Sequence, residues 1–125
     1  SRLEGGGMPL LKLEYTENLN VESDQLSSFF VALHQLVAET VGADVASCKS
    51  RLSVLRDYFI GDGSRDEGYV LLTIQILSGR PVEQRVELKS VVTAHLADFF
   101  SGGSGVAPAV RVYVTELESE FYGMA

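Results

Sequence analysis

Residues 69–81 read YVLLTIQILSGRP, and this stretch decides the fold. Leu72, Ile74 and Ile76 alternate with Thr73 and Gln75, the period of two expected of a half-buried strand over Tyr69–Leu77. Ser78-Gly79-Arg80 is a tight turn, and Pro81 suits the first position of a helix, where its missing N–H is harmless. Leu88, Val91, Val92, Leu96 and Phe99 form that helix's apolar stripe, and Ser101-Gly102-Gly103-Ser104-Gly105 stops it. Val110, Val112 and Val114 then alternate with Arg111, Tyr113 and Thr115 in a last strand.

The same order appears toward the N-terminus. Leu11, Leu13 and Tyr15 alternate with Lys12 and Glu14 in a strand over Pro9–Tyr15, and Thr16–Val21 reads as a polar connection. A helix starts at Ser23 or a near neighbour. Leu26, Phe29, Phe30, Leu33, Val37 and Val41 fall on one stripe of it, and Gly42 is suited to end it. Cys48–Ile60 is a second extended stretch, closed by the turn Gly61-Asp62-Gly63-Ser64. The second strand–helix–strand unit begins about 60 residues after the first, so the chain reads as a duplication with repeats at about 9–60 and 69–118.

A strand–crossover helix–strand unit sets its two strands parallel, with the helix on one face. Two units side by side predict an α+β fold: a four-stranded mixed sheet with two helices on one face, in one domain over residues 8–125. The other sheet face has no layer to cover it, yet it carries Leu and Tyr among its polar residues. A sheet normally buries such a face, so neighbouring subunits are expected to do so.

Composition narrows the partners. The net charge is −7, which argues against a nucleic-acid phosphate binder, so an anionic ligand needs a local Arg or Lys cluster. No apolar run is long enough for a membrane span. Lys12 and Glu14 break the first apolar stretch, so no signal peptide is expected after Met8. Cys48 is the single cysteine, which fits a reducing cytoplasm. His34 and His95 sit beside the helical stripes as structural residues, with no partners at metal-ligand spacing. No metal and no cofactor is expected. Tyr58 and Phe59 could wall a site, but core packing is the simpler role.

The N-terminus carries the chemistry. Ser1-Arg2-Leu3-Glu4-Gly5-Gly6-Gly7 reads as a tag remnant and linker, followed by Met8-Pro9. Methionine before a small residue is normally removed, which would leave Pro9 with a free secondary amine. Behind Met8 the same nitrogen is an amide. The plainer alternative is that Pro9 only opens a strand.

Two families share these features. Ile76-Leu77-Ser78-Gly79-Arg80-Pro81-Val82-Glu83-Gln84, with Val110-Arg111-Val112-Tyr113-Val114-Thr115-Glu116-Leu117, resembles the 4-oxalocrotonate tautomerases. Met8-Pro9, Ser50-Arg51 and Asp62-Gly63, with the duplication, resemble the 5-carboxymethyl-2-hydroxymuconate isomerases of the same tautomerase superfamily. The resemblance spans residues 8–122. It implies a homotrimer packed through the open sheet faces and a cytoplasmic isomerase of bacterial aromatic-acid breakdown. It also implies Pro9 as the general base that moves a proton in a 2-hydroxymuconate-type dienol. Arg80 stands where the family places an arginine for the substrate carboxylate; its alternative role is a solvated turn residue. Lys49 takes the place of a second family arginine, with Arg51 two residues on and on the same strand face. Arg111 holds the matching place in the second repeat, as a ligand or as an interface residue. The first-half counterpart of Arg80 falls near Asn18, and the second-half counterpart of Pro9 near Tyr69. One site per chain is expected, acting on a small anionic substrate. The alternatives are another proline-dependent tautomerase or dehalogenase on the same scaffold, or a non-catalytic trimeric binding protein.

Overall fold

The computed structural model describes residues 8–63, 66–101 and 105–125. The tag-like residues 1–7, Ser64 of the predicted turn and Gly102-Gly103-Ser104 of the predicted helix stop lie outside the described residues. The elements run β1 (Leu10–Thr16), α1 (Ser23–Val41), β2 (Lys49–Leu55), β3 (Glu67–Leu77), α2 (Val82–Phe99) and β4 (Ala107–Leu117). They form one four-stranded sheet in the order β2-β1-β3-β4. β1 pairs parallel with β2 and β3 with β4, while β1 and β3 meet antiparallel at the centre. The two β-α-β units therefore meet through their equivalent first strands, run antiparallel, in the mixed sheet that the α+β reading expects.

Alternation decides which side chains the helices cover. Leu11, Leu13 and Tyr15 of β1 and Val70, Leu72, Ile74 and Ile76 of β3 are buried with Phe29, Leu33 and Val37 of α1 and Leu88, Val92 and Leu96 of α2. Each large side chain removed from water in this way stabilises the fold by about 1.5–3 kcal/mol. Phe29 in the first half of α1 packs tilted against Phe99 at the end of α2, with ring centroids 4.5 Å apart, and stacks on the His95 ring at 5.2 Å. That contact locks the two helices antiparallel. Among the described residues no element packs on the other sheet face. Lys12, Glu14, Leu71, Thr73 and Gln75 there are half-buried, and Tyr113 is 63% exposed.

The sequence reading needs four corrections. Thr16–Val21 is not merely polar: Glu17–Leu19 is a 3-10 turn that buries Leu19 under the sheet end. The extended stretch is strand only over Lys49–Leu55, because among the described residues no strand pairs with the chain beyond Leu55. Pro81 caps α2 in an extended conformation instead of occupying its first turn. Phe59 is 78% exposed, in the connection from β2 to β3, and so is not core.

The start of β3 is pinned to the end of β1. The Tyr69 N–H donates to Thr16 Oγ1 (3.1 Å), and Asn18 Nδ2 donates to the Glu67 carbonyl (2.8 Å). A Cβ on Gly68 would stand 2.8 Å from Thr16 Oγ1 and 3.0 Å from Leu19 Cδ2. Gly68→Ala should therefore force these groups apart and lower stability by about 1–3 kcal/mol. Chemical denaturation measures this, and an unchanged midpoint would mean the junction yields freely.

Candidate active site

The antiparallel pairing of β1 with β3 gathers the sequence candidates at one end of the sheet. Pro9 precedes β1 and is buried. Its carbonyl accepts a hydrogen bond from the Lys49 N–H, 3.1 Å away, at the first residue of β2. The register Leu10↔Gln75 puts Pro9 beside the last residues of β3. From there the chain turns through Gly79, whose φ of 109° favours glycine, to Arg80. Pro9, Lys49 and Arg80 thus share one sheet end.

They do not share one face. Alternation puts Pro9 on the helix side with Leu11. Arg80 is on that side as well: its Nη1 donates to the Val41 carbonyl at the C-terminus of α1 and to Gln84 Oε1 (3.0 Å). Burial disfavours its charge, although an arginine remains a cation. Arg80 is therefore not the loose turn residue that a solvated reading would have. It is a half-buried cation seated on a helix terminus whose dipole attracts it.

Lys49 and Arg51 project from the open face and are exposed. Arg51 is paired with Lys12 across β1, and Lys12 lies 3.9 Å from Glu14. Lys12 is a third cation of this group, and sequence reasoning passed over it as an ordinary polar position of β1. Arg111 lies on the same face at the far edge strand, exposed, with Nη1 donating to its own neighbour's carbonyl at Val110 (3.0 Å). Arg111 is thus remote from Pro9 within the chain.

The remaining candidates are structural. His34 Nε2 lies 2.7 Å from Ser50 Oγ, and burial lowers the pKa of the ring, which favours its neutral form. Cys48 is buried, and burial pushes its thiol pKa up, away from nucleophilic use. A groove of about 210 Å³ runs between α2 and β4, lined by Val82, Arg85, Val86, Lys89, Val112, Tyr113 and Val114, with Arg85 3.6 Å from Glu116. It does not include Pro9. Among the described residues no three His, Cys, Asp or Glu side chains converge as a metal site, and no helix is long and apolar enough to cross a membrane.

The site thus joins a buried proline at a strand start to cations on both sides of one sheet end. Residues 9–113 match the family signature of 5-carboxymethyl-2-hydroxymuconate isomerase. The chain belongs to the 5-carboxymethyl-2-hydroxymuconate isomerase family. It is an isomerase of the tautomerase superfamily. Solved structures agree on the fold. A 5-carboxymethyl-2-hydroxymuconate isomerase from Deinococcus radiodurans R1 superposes with a TM-score of 0.86 at 24% identity, over 98% of this chain and 92% of that one. Pt0534 inactivated by 2-oxo-3-pentynoate gives 0.77 at 19% identity, over 93% and 92%. A fused 4-OT described as a symmetric trimer gives 0.75 at 20% identity, over 93% and 91%. No curated protein matches the sequence.

Proposed function

We propose that this family member is a cofactor-free tautomerase of 2-hydroxymuconate-type dienol polycarboxylates, with the amine of Pro9 as its general base. The observation that carries the reading is the meeting of Pro9, Lys49 and Arg80 at one sheet end. The free nitrogen takes the proton of the 2-hydroxyl group. The electron pair moves along the conjugated chain, the oxygen becomes a ketone, and the ammonium returns the proton to the distal carbon. Atoms and charge balance, and the amine is regenerated. An α-amino group starts near 7.7–8.0, and burial of Pro9 disfavours its charged form, which moves it toward the pH where a base works best. Arg80 takes a substrate carboxylate through the guanidinium nitrogens not bound to Val41 and Gln84. Lys49 and Arg51 hold a second carboxylate from the open face.

We also propose a homotrimer closed through the open sheet face. Half-buried Leu10, Leu71 and Leu77 there, and the outlying Phe59 (78% exposed) and Phe121 (84% exposed), are apolar surface that a second copy would cover. Sedimentation at micromolar concentration should give three times the chain mass. A 2-hydroxymuconate should lose its dienol ultraviolet absorbance when the protein beginning at Pro9 is added. A stable monomer would remove the assembly from the proposal, and a substrate spectrum that decays no faster than in buffer would remove the activity.

A further inference from the structure

β2 is the less supported edge of the sheet. It pairs on one side only, with β1, and Lys49, Arg51, Leu52 and Val54 are all exposed. Alternation turns Ser50, Leu52 and Val54 toward the helices and Lys49 and Arg51 away from them. Among the described residues one side-chain hydrogen bond ties β2 to α1, and it is the 2.7 Å contact of Ser50 Oγ with His34 Nε2. Ser50 stands between the two cations. Any roll of the strand about its own axis moves Lys49 and Arg51 together, and the Ser50 contact is what resists that roll from the helix side.

His34 is itself well held. Its ring meets that of Phe30, one turn earlier, edge-on with centroids 6.3 Å apart. The thiol of Cys48, just before β2, donates to the His34 carbonyl at 3.8 Å. The neutral ring favoured by burial keeps one nitrogen as acceptor and one as donor. Either tautomer completes the bond to a hydroxyl. The anchor is therefore held on the α1 side, and the strand it grips has a sheet neighbour on one side only.

We propose that His34 and Ser50 are positioning residues that preset Lys49 and Arg51 as a joint receptor for one carboxylate of a dicarboxylate. The inference rests on the carboxylate-binding role given above to Lys49 and Arg51. A preset pair loses less freedom on binding than two free side chains, and the gain goes to ligands that reach it. Muconate and sorbate test this, because they share the conjugated six-carbon chain and differ by one carboxylate. Binding of each to the full chain is measured by calorimetry, so the assay does not depend on turnover. Ser50→Ala should weaken muconate about 3- to 10-fold, the range of one lost hydrogen bond, and sorbate less than about 2-fold. Ser50→Thr keeps the hydroxyl on a residue suited to strands and should restore muconate binding. His34→Phe should match Ser50→Ala, and the double variant should be no weaker than either single one. An equal loss for both ligands would overturn the proposal, as would unchanged muconate binding in Ser50→Ala while Lys49→Ala and Arg51→Ala still weaken it. If those two variants leave muconate untouched, the carboxylate-binding role itself falls, and the positioning role falls with it.

Discussion

Protein that begins at Pro9 is expected to turn over a 2-hydroxymuconate about 10²- to 10⁴-fold faster than the chain in which Met8 precedes it, the range of a positioned general base. In the Met8–Pro9 peptide the proline nitrogen shares its electron pair with a carbonyl and takes no proton at ordinary pH. The backbone around it is otherwise complete: Pro9 is buried and its carbonyl holds the start of β2 through the Lys49 N–H. Both forms should therefore fold alike and differ in rate. The residual rate of the acylated form would come from carboxylate binding and electrostatic stabilisation. The pH profile supplies a second signature. The base works unprotonated, so kcat/KM of the processed form should rise with pH through the amine's pKa and then level off. Equal rates in the two forms would exclude the N-terminal amine as base.

Arg80→Ala should lower kcat/KM for the same substrate by about 2–4 kcal/mol, the worth of a charge-assisted bidentate contact. The hydrogen bonds of Arg80 add a separate effect. Its Nη1 occupies the Val41 carbonyl at the end of α1, and a hydrogen bond from a charged donor contributes about 1.5–3 kcal/mol. The variant should therefore melt earlier as well as turn over more slowly. Arg80→Lys separates the two. A lysine returns a cation to the helix terminus but not the planar fork, so stability should recover more than turnover. A lower melting point with unchanged kcat/KM in Arg80→Ala would make this residue a helix clamp and nothing more.

The elements were legible in the sequence because they are amphipathic. Leu72, Ile74 and Ile76 have a period of two that survives into burial, and the Phe29-Leu33-Val37 stripe marks the buried side of α1 without further help. The misses come from residues that carry no period. Leu19 is one apolar residue in a polar run, and nothing local says that Gly68 leaves room for it. Phe59 looks like core because aromatic residues favour burial, yet its segment follows a strand that has ended. The candidate site was legible as residue types and much less as directions. Alternation placed Lys49 and Arg51 together; the same alternation turns Ser50 toward the helix between them, a signal that the sequence reading did not take up. His34, one turn after Phe30, was the matching signal on α1. The contact of Arg80 with Val41 joins residues 39 positions apart and leaves no trace in either segment.

The pinned junction of β1 and β3 has a wider meaning. The two β-α-β units are built alike, yet only one sheet end gathers a proline start, a strand-opening lysine and a turn arginine. At the opposite end Thr16, Asn18 and Gly68 stitch the chain shut. On the function proposed above, the two-unit architecture divides its labour between a working end and a sewn end. Changes in chemistry can accumulate at the first while the seam at the second carries the mechanical load, a freedom that a fold with two equivalent ends does not have.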